Sequence, residues 1–175
     1  MGKCGVKWGK MPNFVTEFYY VDVRMRFLGN IEAKTDTKGR AFLPAAFRKV
    51  LQASGEENLI LRKDVFQKCL VLYPESVWNG RLDLLKSQLH LWKHDHQQMF
   101  RQFVSEAEVV NLDGNGRFLI SKRLLKKAEI EQDIQFIGMD DTIEIWSPQN
   151  LKQTLQTEEE FGKEFENIMN AGDAL

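Results

Sequence analysis

The chain carries one fourteen-residue pattern twice. Residues 36–49 read DTKGRAFLPAAFRK, and residues 113–126 read DGNGRFLISKRLLK. At an offset of 77, Asp36 aligns with Asp113, Gly39 with Gly116, Arg40 with Arg117, Leu43 with Ile120, Phe47 with Leu124 and Lys49 with Lys126. The surroundings repeat as well. A strand-like stretch precedes each copy, over 26–35 and 107–112. A short helical pattern follows each, and then two β-rich runs, 58–63 and 69–73 in the first half, 133–138 and 142–146 in the second. Loop, strand and helix matching in the same order point to two copies of one supersecondary unit.

The D-x-x-G-R segment has a mechanical reading. Asp at the first position of a type I turn accepts hydrogen bonds from nearby backbone, and Gly at the fourth takes positive φ. Asp36 and Gly39, and Asp113 and Gly116, are therefore expected to form the turns of short hairpins with a bulge. On this reading the strand before each Asp pairs with RAFL or RFLI after its Gly. Pro44 stands where a helix N1 residue belongs and Ser121 is a natural N-cap, so helices are expected over 45–52 and 122–129. Between the copies a longer helical stretch runs from Pro74 to about Phe103. Trp78, Leu82, Leu85, Leu89 and Trp92 recur there at spacings of 4, 3, 4 and 3, a one-sided apolar stripe suited to closing the core or meeting a neighbouring subunit. Ser147 and Pro148 open a further helix with Leu151 and Leu155 on one face. Beyond it, Glu158, Glu159 and Glu160 precede Phe161, Phe165 and Met169.

Composition constrains the partners. The 175 residues hold 24 basic and 25 acidic side chains, a net charge of −1, which excludes a histone-like polycation and taken alone argues against nucleic acid. Position reverses that inference. Residues 26–49 hold six basic residues against two acidic, residues 117–129 five against one, and residues 156–175 a single lysine against six acids. Two basic repeats and an acidic tail are consistent with an electropositive face from which the tail is kept away.

Other classes find little support. Cys4 and Cys69 form no CxxC pair, and a reducing cytoplasm is the expected setting. No uncharged run approaches the roughly 18–20 apolar residues of a membrane-spanning helix. The first 24 residues contain no apolar core of a signal peptide. They lack a helical or strand period and read as a flexible arm or, preferably, as a stretch ahead of a start at Met25. His90 and His94, four apart with Asp95 and His96 beside them, invite a metal reading. No glutamate stands between them as in H-E-x-x-H, so exposed helix histidines are the better account and no metal is expected. No nucleophile stands out, Cys69 lies within an expected strand, and there is no phosphate-binding glycine loop. Neither an enzyme nor a cofactor nor a small-molecule substrate is expected.

Arg40 and Arg117 are the leading candidates for binding. A guanidinium has a planar fork that takes guanine O6 and N7, or a phosphate, and a turn can project it beyond a sheet. Lys38 is a candidate phosphate contact, with Asn115 as its weaker counterpart. The competing reading pairs each Arg with its own Asp and confines both to the turn.

The segments FLGNIEAKTDTKGRAFLPAAFR, LVLYPESVW, FVSEAEVVNLDGNGRFLISKRL and IEIWSPQ resemble the MraZ family of bacterial transcriptional regulators, built from two AbrB-like (SpoVT-AbrB) units. The resemblance covers nearly all of 25–156. It implies an α+β fold in which tandem AbrB-like repeats form a swapped-hairpin, or double-split, β-barrel with flanking helices. It further implies a ring-shaped homo-oligomer that binds double-stranded DNA at short direct repeats upstream of the division and cell-wall gene cluster. The family's DNA contacts map to the loops that hold Arg40 and Arg117. The family lacks the first 24 residues, usually has Pro where this chain has Ser121, and has Lys or a similar residue in place of Gly114. The last change alters how the second loop would meet DNA.

The expected organisation is an extension over 1–24, a first repeat over 25–73, a helical connector over 74–104, a second repeat over 105–147, and a C-terminal helix with acidic tail over 148–175. The expected function is a sequence-specific DNA-binding regulator, a repressor of its own operon, cytoplasmic and nucleoid-associated, acting without cofactor or membrane. The alternative is an AbrB-like antitoxin-type module that holds a protein partner with its acidic tail.

Overall fold

The computed structural model describes residues 26–172; Cys4, Met25 and the expected extension lie outside them. The first copy contributes β1 (Phe27–Lys34), β2 (Arg40–Phe42), α1 (Ala45–Ser54), β3 (Asn58–Lys63) and β4 (Leu70–Pro74). Two helices follow, α2 (Glu75–Gln88) and α3 (His94–Ser105). The second copy repeats the series as β5 (Glu108–Asn111), β6 (Arg117–Leu119), α4 (Lys122–Lys127), β7 (Asp133–Asp140) and β8 (Thr142–Trp146). Helices α5 (Pro148–Thr154) and α6 (Glu158–Gly172) end the described chain.

The result is a mixed α+β structure on an antiparallel six-stranded sheet, ordered β1-β7-β8-β4-β3-β5, with a separate two-stranded ribbon of β2 and β6. The two copies are interleaved. β1 pairs with β7 of the second copy, and its counterpart β5 pairs with β3 of the first. β4 meets β8, and β2 meets β6. A local pseudo-twofold relation between the copies accounts for all of these pairings.

This corrects the hairpin expected within each copy. The strand before Asp36 touches the strand after Gly39 through one isolated bridge, Thr35 to Ala41, and then diverges. The post-turn strands bind each other instead. The Leu43 amide donates to the Gly116 carbonyl at 3.0 Å, and the Ile120 amide donates to the Gly39 carbonyl at 2.9 Å. Strands of three residues gain little from a local hairpin. Paired across the copies, they place Ala41 and Phe118 on the inner face, where both are buried.

The core confirms the repeat's apolar positions in three dimensions. Leu43 and Ile120, and Phe47 and Leu124, are buried in one cluster with Phe27, Leu61, Leu72, Phe118, Phe136 and Ile145. A second cluster on the other face holds Ile60, Cys69, Val71, Tyr73, Trp78, Trp146 and Leu151. β3 and β4 thus contribute side chains to both clusters, which is why NLILRK and CLVLY read as nearly continuous apolar runs rather than alternating ones. α2 docks through Trp78, which stacks on Phe103 of α3 at 5.5 Å and meets Tyr73 edge-on at 5.4 Å.

Several helix expectations need adjustment. The stretch over 74–103 is two helices, because Leu89 turns to an extended conformation (φ −104°, ψ 139°) and ends α2. Only Trp78 of the apolar stripe is buried, and Trp92 lies in the connecting loop, fully exposed. His90 also falls in that loop while His94 opens α3, so the two do not share a helical face. His96 instead accepts a hydrogen bond from the His90 amide through Nδ1 at 3.0 Å. Among the described residues, no group of three metal-ligating side chains converges. α4 stops at Lys127, ahead of Glu129 in the left-handed region (φ 56°). Leu155 lies just past α5 and is exposed, while Leu151 is buried.

Pro44 occupies the N-cap of α1 rather than N1, with φ −51° and ψ 139°. Ser121 occupies the same place before α4 with φ −61° and ψ 146°, so the two residue types give one backbone path. Ser121 adds a cap, accepting from the Leu124 amide at 3.3 Å, and donates to the Glu108 carboxylate at 2.9 Å.

Candidate nucleic-acid interface

The two D-x-x-G-R turns have closely matching geometry. In the first, Asp36 Oδ1 accepts from the amides of Lys38 at 2.9 Å and Arg40 at 2.8 Å. In the second, Asp113 Oδ1 accepts from the amides of Asn115 at 2.9 Å and Arg117 at 3.0 Å. Backbone closes each turn: Gly39 donates to Asp36 at 2.9 Å, and Gly116 to Asp113 at 2.8 Å. Both glycines require the left-handed region, at φ 82° and 80°. Gly39 also has no room for a side chain, since a Cβ there would stand 2.6 Å from the Ile120 carbonyl oxygen.

The second oxygen of each Asp holds the arginine. Asp36 Oδ2 accepts from Arg40 Nε at 2.7 Å, with Nη2 in ion-pair contact at 2.7 Å, and Asp113 Oδ2 accepts from Arg117 Nε at 2.8 Å. The Arg40 amide, then its guanidinium, holds Asp36 below the ordinary carboxylate value of 3.8. The Arg117 amide, then the Asn115 amide and the Arg117 guanidinium, does the same for Asp113. These pairs are solvent-exposed, so they add little stability. Their effect is orientation: each carboxylate fixes the direction of a guanidinium that keeps further N–H donors for a ligand.

The ribbon sets where the arginines face. Arg40 stands opposite Leu119, and Phe42 opposite Arg117. Ala41 and Phe118 point into the core, so alternation places Arg40, Phe42, Arg117 and Leu119 together on the outer face. The Arg117 guanidinium lies 5.6 Å from the centre of the Phe42 ring. Lys38 and Asn115 occupy equivalent exposed positions in the two turns.

Each turn is flanked by the other copy's helix. A groove of about 300 Å³ along the first turn is lined by Thr37, Lys122 and Leu125. Arg48 of α1 packs on Gly116 of the second turn, where a Cβ would fall 2.5 Å from Nη1. Position 48 aligns with 125 at the repeat offset, so Arg48 and Leu125 are counterparts, and the second turn gains a cation this way. Among the described residues, Gly114 has no neighbour within 4 Å of a would-be Cβ, so its small size leaves that turn without a side chain that the space admits.

Much of the basic charge in the repeats is matched locally. Lys34 pairs with Asp133, Arg123 with Glu108 and Lys127 with Glu106. Lys38, Arg48, Lys49, Lys122 and Lys126 have no carboxylate within 4.0 Å among the described residues. Arg48 and Lys122 were not singled out from sequence. The offset that aligned the copies could have flagged Arg48 as a cation facing a leucine counterpart.

Helix α6 presents a different surface. Thr157 and Glu160 cap it reciprocally, each accepting from the other's amide, at 3.3 and 3.1 Å. Phe161, Phe165, Ile168 and Met169 are all more than half exposed.

Residues 103–170 match the family model for MraZ, described as an antitoxin-like protein. The chain is 63% identical over 145 residues to a transcriptional regulator MraZ of Phocaeicola vulgatus, an alignment spanning 83% of this chain and 94% of that protein. It is 58% identical over 146 residues to the MraZ regulator of Bacteroides thetaiotaomicron, with 83% and 94% covered. The MraZ regulator of Christiangramia forsetii shares 32% over 150 residues, with 85% and 96% covered.

Proposed function

The chain belongs to the MraZ family, and from that membership we propose that it is a sequence-specific DNA-binding transcriptional regulator. The observation that carries this reading is the pair of matched turns on one ribbon. Arg40 and Arg117 are each aimed by a carboxylate, and both lie on a single outward face. A two-stranded ribbon fits the major groove, where arginine takes guanine O6 and N7. Lys38, Asn115, Arg48 and Lys122 supply phosphate contacts around it. None of the matched relatives named above is called an enzyme, and catalysis forms no part of this reading.

Finer features follow from the same proposal. The exchange of strands between copies belongs to a swapped-hairpin, or double-split, barrel, with AbrB-like repeats over 25–73 and 105–147 joined by a helical connector. One chain offers only two small loops, so a ring-shaped homo-oligomer would gain affinity by engaging short direct repeats together. The target is DNA upstream of its own operon in the division and cell-wall cluster, which it represses as a cytoplasmic, nucleoid-associated protein. No described helix is long and apolar enough to cross a membrane.

A second reading has one observation behind it. The antitoxin-like family model extends over α6, an acidic helix with an uncovered apolar stripe. Truncation before Thr157 separates the two. A regulator keeps its operator affinity per chain, whereas a tail that holds a protein loses that partner. The direct test of the main reading is binding of the full chain to its own upstream DNA at two salt concentrations, where a specific complex with a steep salt slope is expected.

A further inference from the structure

The outer face of the ribbon is not purely cationic. Phe42 is 57% exposed and Leu119 is 54% exposed, although both belong to strands whose other faces are completely packed. Their pairing with Arg117 and Arg40 makes a four-residue patch in which the two apolar side chains lie on one diagonal and the two arginines on the other. The arrangement follows from register: an apolar residue two places after each arginine faces the opposite arginine. Successive outward residues on a strand are about 6.7 Å apart, close to two base steps of about 3.4 Å each. The Arg117 guanidinium lies 5.6 Å from the centre of the Phe42 ring, within cation–π reach on this outer face.

We propose that Phe42 and Leu119 read thymine 5-methyl groups in the major groove, between bases engaged by Arg40 and Arg117. The inference rests on the DNA-binding reading and adds to it a base preference that the arginines cannot supply. Two guanidinium groups lie within the patch itself, which directs it toward nucleic acid rather than an apolar protein surface. In the major groove the thymine methyl is the apolar group that distinguishes one base pair from the others. A guanine contact and a methyl contact side by side specify mixed G and T steps, whereas arginine alone is drawn equally to guanine or phosphate.

The probe is the upstream duplex to which the full-length protein binds, prepared once with thymine and once with uracil in its place. The exchange removes methyl groups and leaves phosphates and base-pair hydrogen bonds intact. Wild-type protein is expected to bind the uracil duplex about fourfold more weakly for each methyl buried, the equivalent of one lost methylene contact. Phe42→Ala and Leu119→Ala, both at exposed positions, should each lose part of that difference, and the double variant should bind both duplexes alike. Three results overturn the inference: wild type binds the two duplexes equally while still preferring them to random DNA; the double variant keeps the full methyl dependence; or Phe42→Ala changes the subunit number in sedimentation, placing the patch between copies. Failure of wild type to prefer the upstream duplex to random DNA removes the DNA-binding reading, and the inference with it.

Discussion

Two aspartates and two glycines determine how the arginines are presented. Gly39 and Gly116 share a left-handed conformation but not a neighbourhood. A side chain at 39 meets the fixed Ile120 carbonyl, while one at 116 meets the movable Arg48 side chain. Gly39→Ala is therefore expected to destabilise by more than about 1 kcal/mol, and Gly116→Ala by less than Gly39→Ala, in denaturant titrations. The aspartates set an acid dependence. Their folded values lie below 3.8, so their contribution is complete above about pH 4 and is lost as pH falls through the lowered values. The Asp36→Asn/Asp113→Asn variant should melt lower than wild type at pH 7 and show a smaller further loss below pH 4. The turn chemistry was legible because Asp, Gly and Arg act within five residues. The packing of Arg48 on Gly116 and the outward face of Phe42 were not, since both depend on how the two copies pair across the ribbon.

At the level of elements, nearly every strand in the sequence reading lies within a residue or two of its observed bounds. The pairing was not legible, because local pattern says which residues extend and not which partner they choose. β1 and β5 could have folded back on their own copies, and long-range burial decides otherwise. The connector misled for a related reason: a 3.6-residue period continued past Gln88, yet among the described residues Trp92 is fully exposed, with nothing to hold it in a helix. The caps of α1 and α4 give a test. Ser121→Ala removes a cap and should cost about 1 kcal/mol. Ser121→Pro also removes the cap, but it suits the backbone that Pro44 adopts in the first copy. Thermal melts should place Ser121→Pro closer to wild type than Ser121→Ala.

For the whole molecule, duplication and interleaving have one consequence for folding. Each copy's hairpin, β3–β4 or β7–β8, needs the opening strand of the other copy, and each post-turn strand needs its counterpart. Residues 26–105 made alone should therefore associate as a dimer of first copies in sedimentation. A folded monomer would show that the copies are independent. The same interleaving joins the two turns to a single ribbon, so the proposed binding surface forms only when both copies fold together. The charge layout is legible in the same way: a net charge of −1 conceals two basic repeats and an acidic tail.

On the proposed reading, Arg40 and Arg117 on this ribbon bind specific DNA. That reading is tested most directly by titrating wild type and the Arg40→Ala/Arg117→Ala variant against the chain's upstream DNA and a random duplex, each at two salt concentrations. Wild type should prefer its upstream DNA with a steep salt slope. Each lost bidentate contact is worth about 1–3 kcal/mol of discrimination, so the folded double variant should lose at least tenfold of that preference while keeping weak, salt-sensitive binding. A double variant that discriminates as wild type does would place specific recognition elsewhere than on these two arginines.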